Sequence, residues 1–331
     1  MIINTVKLIN FRNHSSYLLD CQNNVTLILG SNGWGKTSIL EAIYILTRGK
    51  SFRATDKDII KRGTDFYRIE LEYNNGELII ATFDGKNKTF TALDKKTRRL
   101  PTKQKYPVIL FLPSDLNLVD HSPGRRRDYF DHIYSQLDAS YSASLSRYNK
   151  ALKQRNELLK TESVTPDSLF SWNLLLAQYG AELHTKRKSY TAEINQHLTS
   201  TYRSIAQNQD EVELIYSSDA SSSESDYLRT LEQNFPRDSI LGHTSFGVHR
   251  DDYQFLFNHQ SADNSASRGE TRSVILALKF IEADLIYEKL GLKPIILLDD
   301  VFSELDETRR RCLIENFKNH QVIITSVESI E

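Results

Sequence analysis

The sequence predicts an α/β fold that is interrupted by an inserted α-helical domain. Strands and helices alternate near both ends of the chain, the middle of the chain has helical periodicity, and a glycine-rich segment joins an apolar strand to an amphipathic helix. The chain has 331 residues, enough for one large domain or two joined domains. We therefore expect residues 1–122 and 241–331 to form the two halves of one head, with residues 123–240 inserted as a helical domain.

Composition narrows the class of protein. Hydrophobic residues make up 39% and charged residues 26% of the chain, which is typical of a folded globular protein. The 42 Lys and Arg residues are balanced by 43 Asp and Glu residues, so any nucleic-acid footprint must be a local basic patch. The two cysteines provide neither a disulfide framework nor a metal cluster. No apolar run has the length of a membrane span or a signal peptide, and we expect a cytoplasmic protein.

Apolar periodicity locates the elements of the N-terminal half. Strands are expected at Ile2–Leu8 and Val25–Leu29, with a polar turn at Asn10–Ser16. A helix is expected over Ser38–Leu46. The next expected elements are a meander of strands within Phe66–Thr91 and a short strand at Val108–Leu112.

The middle and the C-terminal part follow a different pattern. Helices are expected from Arg125 to Gln209, and the serine-rich stretch Ala220–Ser225 is expected to be a loop. The remaining expected elements are a helix at Tyr227–Asn234, a strand at Gln254–Asn258, a helix at Gly269–Leu290, a buried strand at Pro294–Leu298, a charged helix at Thr308–Phe317 and a strand at Val322–Thr325.

A phosphate-binding loop is predicted between the second strand and the first helix. The segment from Gly30 to Thr37 fits the pattern GxxxxGK[ST] in the strand and helix context that the motif requires. Backbone N–H groups would surround the phosphates, Lys36 would neutralise the β and γ charges, and the Thr37 hydroxyl would ligate Mg²⁺. A plain glycine turn before a helix is the alternative. The predicted nucleotide contacts are Gly30, Ser31, Asn32, Gly33, Trp34, Gly35, Lys36, Thr37 and Ser38.

Two acidic residues end a buried strand near the C-terminus. Asp299 and Asp300 follow Pro294–Leu298, and carboxylates at the carboxyl end of a strand lie where α/β sheets bind ligands. We expect Asp299 to hold Mg²⁺ and Asp300 to orient or deprotonate the attacking water. An acidic turn or helix cap is the alternative. Lys36 and Asp300 are the predicted catalytic residues.

Two further segments precede helices. Ser267-Arg-Gly-Glu270 opens a predicted helix, and such an N-terminus could hold a phosphate, although a capping serine is the plainer interpretation. The segment Ser303-Glu-Leu-Asp306 also precedes a helix. For this segment the alternative interpretation is that Ser303 or Asp306 is a plain helix N-cap. The order of phosphate loop, long insert, serine–glycine helix and acidic strand favours the phosphate interpretation of Ser267–Glu270.

Together these motifs resemble the RecF family of recombination mediators, which are ABC-type ATPases related to SMC and Rad50 heads. The matching segments are Leu8–Asn13, Gly30–Thr37, Lys50–Arg53, Phe111–Leu116, Ser122-Pro123 with Arg125–Arg127, Gly247–Asp252, Ser267–Glu270 and Leu297–Asp306. The resemblance spans nearly the whole chain. It implies an ABC-type P-loop ATPase head with an inserted helical domain.

The resemblance also implies a function and partners. The protein would be an ATP-dependent DNA-binding protein of recombinational gap repair that dimerises on binding ATP, hydrolyses ATP slowly and helps RecA load. Its cofactors would be ATP and Mg²⁺. Its partners would be gapped, single-stranded or junction DNA without sequence preference, a second copy of the chain, and RecO and RecR. A nucleoid-associated location in the cytoplasm follows.

Further site residues come only from this resemblance. Each nucleotide would lie between the phosphate loop of one head and Ser267, Gly269 and Glu270 of the other, with Asp306 at the dimer seam. The resemblance also assigns residues near the nucleotide of each head. These are Arg12 and Asn13, which would approach the nucleotide, and Thr325, which would fall in the γ-phosphate sensor region after the last strand.

Basic segments are the candidates for DNA contact. The predicted contacts are Arg125, Arg126 and Arg127, and Lys95, Lys96, Arg98 and Arg99, with Lys103 and Lys105 nearby. A further candidate is Lys186–Lys188. A solvated charged surface is the alternative for each patch.

Two other classes of protein remain to be distinguished. A transport ATPase subunit has a short segment between the phosphate loop and the serine–glycine helix, so the long helical insert disfavours this class. A protein that uses ATP only to hold a dimer together would not need Lys36, Asp299 and Asp300.

Overall fold

The structure is a computed structural model of the chain, and it describes residues 1–120 and 122–327. The chain divides into two compact units. The first comprises Met1–Asp115 and Glu282–Glu331, and the second is Leu116–Ile281. The first unit is therefore built from both ends of the chain, as the sequence predicts for the head.

The described residues form strands joined by helices and short 3₁₀ turns. The strands are β1 (Ile3–Phe11), β2 (His14–Asp20), β3 (Val25–Leu29), β4 (Tyr67–Tyr73), β5 (Leu78–Phe83), β6 (Lys88–Ala92), β7 (Lys95–Thr97), β8 (Val108–Phe111), β9 (Val212–Ser217), β10 (Asp252–Phe257), β11 (Gln260–Ser261), β12 (Ile295–Asp299) and β13 (Val322–Ser326). The helices are α1 (Lys36–Arg48), α2 (Asp56–Ile59), α3 (Pro123–Leu137), α4 (Ala139–Leu159), α5 (Pro166–Ala206), α6 (Glu224–Gln233), α7 (Phe235–Leu241), α8 (Ala262–Ser265), α9 (Arg268–Leu290) and α10 (Glu307–Phe317).

Two sheets and one central helix organise the first unit. A six-stranded antiparallel sheet has the order β2-β1-β4-β5-β6-β7, and a four-stranded parallel sheet has the order β3-β13-β12-β8. Helix α1 contacts strands of both sheets, and Ile39, Leu40 and Ile43 on this helix are fully buried. Because α1 follows β3, the parallel sheet brings the phosphate loop to the same edge as the end of β12.

Two strands of the first unit, β2 and β7, are not predicted from the sequence. The segment that we expect to be a polar turn carries β2, and only Arg12 and Asn13 separate it from β1. Strand β2 lies at the edge of its sheet and buries only two of its side chains, those of His14 and Leu19. Because an edge strand with few buried side chains can be mostly polar, the apolar pattern that predicts strands is absent from β2.

The second unit combines helices with a small antiparallel sheet. Helix α5 has 41 residues, about 60 Å in length, and packs against α4 and α6. Three strands form a sheet of order β11-β10-β9, in which Asp252 pairs with Ser217. The strand β9 is not predicted, whereas β10 corresponds to the expected strand at Gln254–Asn258.

The boundary of the helical unit differs from the expected one. We expect the insert to end at residue 240, but the second unit continues to Ile281. The difference arises from tertiary contacts, because β10 pairs with β9 and packs against α3. Residues 241–281 therefore belong to the second unit, together with the insert.

Candidate nucleotide-binding site

The phosphate loop leaves the end of β3 and leads into α1. Gly33 and Gly35 have φ angles of 82° and 107°, a backbone region that favours glycine. A Cβ on Gly35 would lie 2.5 Å from Nε2 of His14, so this position has no room for a side chain. Gly35 caps α1 without a side-chain hydrogen bond, which leaves the first N–H groups of the helix available to an anion.

Lys36 and Asp300, the two predicted catalytic residues, are brought together. The Lys36 side chain is 4% exposed, and its Nζ donates a hydrogen bond to the Gly30 carbonyl oxygen at 2.7 Å. The same Nζ lies 3.6 Å from Oδ2 of Asp300. The cation of the phosphate loop thus faces the end of β12.

Asp299 is held by two threonine hydroxyls. Thr37 Oγ1 donates to its carboxylate at 2.8 Å, and Thr325 Oγ1 donates to Oδ1 at 2.9 Å. Asp299 is 7% exposed, and burial raises its pKa, as does the neighbouring charge of Asp300, while the two hydroxyls act in the opposite direction. A hydroxyl beside a carboxylate is an oxygen donor set that suits Mg²⁺. Thr325 lies within β13, in agreement with the strand expected at Val322–Thr325.

Asp300 adopts an unusual backbone conformation. Its φ of 51° lies in the left-handed region, and its N–H donates to Oγ1 of Thr325 at 3.0 Å. Within the described part of the chain, its Oδ1 is buried and has no hydrogen-bond partner. Residues in such conformations concentrate at functional sites, and an unpartnered carboxylate oxygen is suited to accept a hydrogen bond from water.

Glu41 is a buried residue that the sequence does not single out, and it holds Arg12 and Arg53, which line the site. Arg12 donates from Nε and Nη2 to its carboxylate at 2.9 and 2.8 Å, and Arg53 donates from Nε and Nη2 at 3.1 and 2.9 Å. Ser51 Oγ donates at 2.6 Å. Although burial alone would raise the pKa of Glu41, these hydrogen bonds hold it below its usual value. The available signal was an acidic residue on the apolar face of α1, since a buried carboxylate requires partners.

Most of the predicted nucleotide contacts line a cavity of about 630 Å³. This volume is in the range of small-molecule binding sites. The residues that line it are Arg12, Asn13, Ser31, Asn32, Gly33, Gly35, Lys36, Thr37, Ser38, Arg53, Ala54, Asp58 and Asp300. Nδ2 of Asn13 donates to the Gly33 carbonyl oxygen at 3.0 Å, which joins the β1–β2 turn to the phosphate loop. Trp34 packs its ring against His14 and Tyr17, with ring centroids 5.3 and 5.4 Å apart.

The serine–glycine segment and Asp306 both act as helix caps. Ser267 Oγ accepts a hydrogen bond from the Glu270 N–H at 3.3 Å, and Glu270 accepts from the Ser267 N–H at 2.6 Å, which is a reciprocal capping box. Asp306 accepts from the N–H of Arg309 at 2.9 Å. The plain capping interpretation is therefore confirmed for both segments. The contacts expected of Ser267, Gly269, Glu270 and Asp306 with a second copy stay a prediction.

The structure corrects part of the DNA-contact prediction. Arg126 is 7% exposed and donates to both carboxylate oxygens of Asp252 at 2.9 and 2.7 Å, so its guanidinium anchors α3 within the second unit. Arg127 donates to the Asp251 carbonyl oxygen at 2.6 Å. Arg125 is exposed.

The Lys186–Lys188 patch is also mainly structural. Lys186 pairs with Asp138 at 2.7 Å, and Arg187 is buried against Asp131 and Asp251. By contrast, the segment around β7 is open to solvent. Its four predicted contacts, all exposed, are Lys95, Lys96, Arg98 and Arg99.

Comparison with known proteins identifies the family. Residues 1–309 match the family described as AAA ATPase domain. A DNA replication and repair protein RecF from Clostridium perfringens (strain SM101 / Type A) is 34% identical over 334 residues, covering 98% of this chain and 92% of its own. The RecF of Natranaerobius thermophilus is 35% identical over 342 residues, covering 96% and 89%.

A solved structure agrees with these relatives. The recombination mediator protein RecF of the RecFOR pathway, in complex with ATP, matches with a TM-score of 0.88 and 27% sequence identity, covering 100% of this chain and 93% of that chain. No helix within residues 1–120 and 122–327 combines the length and the apolar character needed to cross a membrane. The predicted ATPase head with a helical insert is confirmed, and the transport alternative finds no support. The curated relatives, the matching solved structure and the phosphate loop all agree, and this chain therefore belongs to the RecF family.

Proposed function

We propose that this protein is an ATP-dependent DNA-binding protein of recombinational gap repair. It dimerises when ATP binds, hydrolyses ATP slowly and helps RecA load on gapped or single-stranded DNA. One observation carries the proposal: in a chain of the RecF family, the phosphate loop and Asp300 line one cavity, and Thr37 of that loop donates a hydrogen bond to Asp299. The RecFOR pathway named for the matching structure supports RecO and RecR as partners.

The cofactors proposed are ATP and Mg²⁺. The N–H groups of the phosphate loop and Lys36 would bind the β and γ phosphates. Thr37 and Asp299 would hold Mg²⁺, which supplies charge neutralisation when bound. Among the described residues, no group of three or more His, Cys, Asp or Glu residues forms a metal site. A metal here would therefore complete its coordination with phosphate oxygens and water.

Asp300 is the proposed water-positioning residue. Its Oδ1 is buried and unpartnered among the described residues, and Thr325 fixes its backbone N–H. A carboxylate held in this way can accept a hydrogen bond from water without rearranging. A single chain provides this half of the site, and the Ser267–Glu270 segment of a second copy would complete it.

The oligomeric state tests the proposal. We expect sedimentation velocity to show a monomer without nucleotide and a dimer with ATP and Mg²⁺, with further stabilisation of the dimer by gapped DNA. Lys36→Ala is the control and should remain monomeric, because the loop loses its side-chain cation. A wild-type protein that stays monomeric at saturating ATP, or a Lys36→Ala variant that dimerises equally, would contradict the proposal.

DNA contacts are proposed for the exposed cations alone. Arg125 and the residues Lys95, Lys96, Arg98 and Arg99 can reach phosphates without breaking an ion pair of the fold. Arg126 is not included, because its charge already neutralises Asp252.

A further inference from the structure

We propose that the C-terminal end of α1 forms a binding site for the phosphate backbone of DNA, made by Arg48, Lys50, Arg99 and Lys105. This inference rests on the proposed DNA-binding function and specifies where that function resides. Arg99 and Lys105 belong to the basic segment named above, whereas Arg48 and Lys50 come from a distant part of the sequence.

Two close approaches between the end of α1 and the segment from Arg99 to Tyr106 create the site. Helix α1 ends in a turn at Gly49, whose φ is 88°, and a Cβ on Gly49 would lie 3.3 Å from the Cβ of buried Leu100. The N–H of Tyr106 donates a hydrogen bond to the Thr47 carbonyl oxygen at 3.1 Å. The residues that flank Gly49 are therefore held against those that flank Leu100 and Tyr106. These flanking residues are the four cations.

Among the described residues, three of the four side chains carry positive charge that no carboxylate compensates. Lys50, Arg99 and Lys105 are exposed, and no carboxylate of the described chain forms an ion pair with any of them. Burial, followed by the positive charges of Arg48, Lys50 and Arg99, lowers the pKa of Lys105. The four charges therefore repel one another. A polyanion would relieve this repulsion and release its own counterions on binding.

Helix capping accounts for only one of these residues. A basic side chain in the last turn of a helix interacts favourably with the helix dipole, and Arg48 also donates to the Tyr106 carbonyl oxygen at 3.4 Å and faces the buried charge of Glu282. None of these interactions explains why Lys50, Arg99 and Lys105 converge at the same point.

The position of the site connects it to the nucleotide. Helix α1 begins at Lys36 of the phosphate loop and ends at Arg48, so its 13 residues span about 20 Å between the two sites. The helix is buried between two sheets, which makes it a rigid connection. Because contacts with DNA phosphates do not distinguish one base from another, binding at this site would be independent of DNA sequence.

Charge reversal tests the site in the full-length protein. Binding of a fluorescent gapped duplex is measured by anisotropy, with ATP and Mg²⁺, between roughly 50 and 200 mM salt, the range over which phosphate contacts change affinity. We expect Lys50→Glu/Arg99→Glu to lose at least tenfold in affinity at low salt. Lys50→Gln/Arg99→Gln should flatten the log–log salt slope by about two units, one for each contact removed. The loss should be equal for gapped duplexes of unrelated sequence.

A control variant on α4, with measurements of melting temperature and ATP affinity, distinguishes a local DNA contact from a general effect of charge or folding. Lys150→Glu/Lys153→Glu makes the same charge change on exposed residues of α4 and should leave DNA affinity within about twofold of wild type. Melting temperature and ATP affinity should be unchanged in all variants. An unaltered salt slope in the Gln variant, or an equal loss in the α4 control, would place the DNA surface elsewhere. If wild type itself shows no salt-dependent DNA binding, the proposed function fails, and not only this site.

Discussion

Two buried carboxylates of the first unit have opposite environments. Asp299 receives neutral hydroxyls from Thr37 and Thr325, and burial raises its pKa. Glu41 is buried as well, but the guanidiniums of Arg12 and Arg53 hold its pKa down. Among the described residues Asp299 is therefore hydrogen-bonded but forms no ion pair, which suits a metal ligand, while the charge of Glu41 is neutralised by ion pairs with Arg12 and Arg53.

Substitution of Asp300 should separate ATP binding from ATP hydrolysis. Asp300→Asn keeps the shape of the side chain but removes its capacity as a base, so ATP binding and dimer formation should persist while hydrolysis falls by about a hundredfold or more. Calorimetry, sedimentation and phosphate release measure the three properties. Asp299→Asn is the comparison, and it should weaken Mg²⁺-dependent ATP binding itself. Normal hydrolysis by Asp300→Asn would show that another group positions the water.

Glu41 should act on the stability of the first unit. Glu41→Gln removes the charge that accepts hydrogen bonds from two guanidiniums, and we expect the free energy of unfolding to fall by about 2–3 kcal/mol. Urea denaturation measures this change. Ser51→Ala removes a single donor to the same carboxylate and should lower the stability by about 1 kcal/mol. Equal effects of the two substitutions would mean that the charge of Glu41 contributes nothing.

At the scale of elements, the segment Gly247–Asp252 joins the parts of the second unit. Asp251 accepts hydrogen bonds from Arg187 on α5 and from Ser218 after β9, at 2.7 and 2.5 Å. Asp252 accepts from Arg126 on α3. His249 lies between the hydroxyl of Tyr148 and the carbonyl oxygen of Thr244, at 2.8 and 3.0 Å. This family segment therefore has a structural role, linking three elements through buried polar contacts.

The second unit should lose stability in mild acid because of His249. Burial lowers the pKa of His249 to about 4, and the charges of Arg250 and Arg127 act in the same direction, against Thr244 and Asp238. The unfolded chain, with an ordinary pKa near 6.5, binds the proton more readily. The stabilisation is thus complete above pH 6.5 and is lost as the pH falls toward 4.

The expected loss is about 2 kcal/mol between pH 7.5 and pH 5. Urea denaturation at the two pH values measures it, and His249→Gln should be less stable at pH 7.5 but show a smaller change with pH. A pH dependence that is identical in wild type and His249→Gln would assign the effect to other groups.

At the scale of the whole molecule, the proposed dimer places two half-sites on different chains. Ser267→Arg should leave ATP binding by the monomer intact, because the phosphate loop is untouched, and should block dimerisation by placing charge and bulk at the partner's nucleotide. A mixture with Lys36→Met should restore at most one composite site per heterodimer, measured as hydrolysis in a titration. Ser267→Ala is the control, since it removes the helix cap, at a cost of about 1 kcal/mol, without adding bulk. Loss of ATP binding by the Ser267→Arg monomer would show that Ser267 acts on its own chain.

Local chemistry explains why much of this protein is readable from its sequence. The phosphate loop, α1 and the acidic end of β12 depend on residues adjacent in the chain, on glycine conformations and on apolar periodicity. The sequence by itself therefore determined the α/β class, the ATPase head and the roles proposed for Lys36, Thr37, Asp299 and Asp300. It also determined the family, because the ordered motifs extend over nearly the whole chain.

Only the tertiary structure decided which polar side chains are free and which are already paired. Arg125 and Arg126 are neighbours in the same basic run, yet one is exposed and the other neutralises Asp252 from a strand more than a hundred residues away. The same holds for Glu41 with Arg12, and for the end of the second unit, which depends on the pairing of β10 with β9. Burial and charge pairing arise from contacts distant in the chain, and the spacing of residue types along one segment does not contain them.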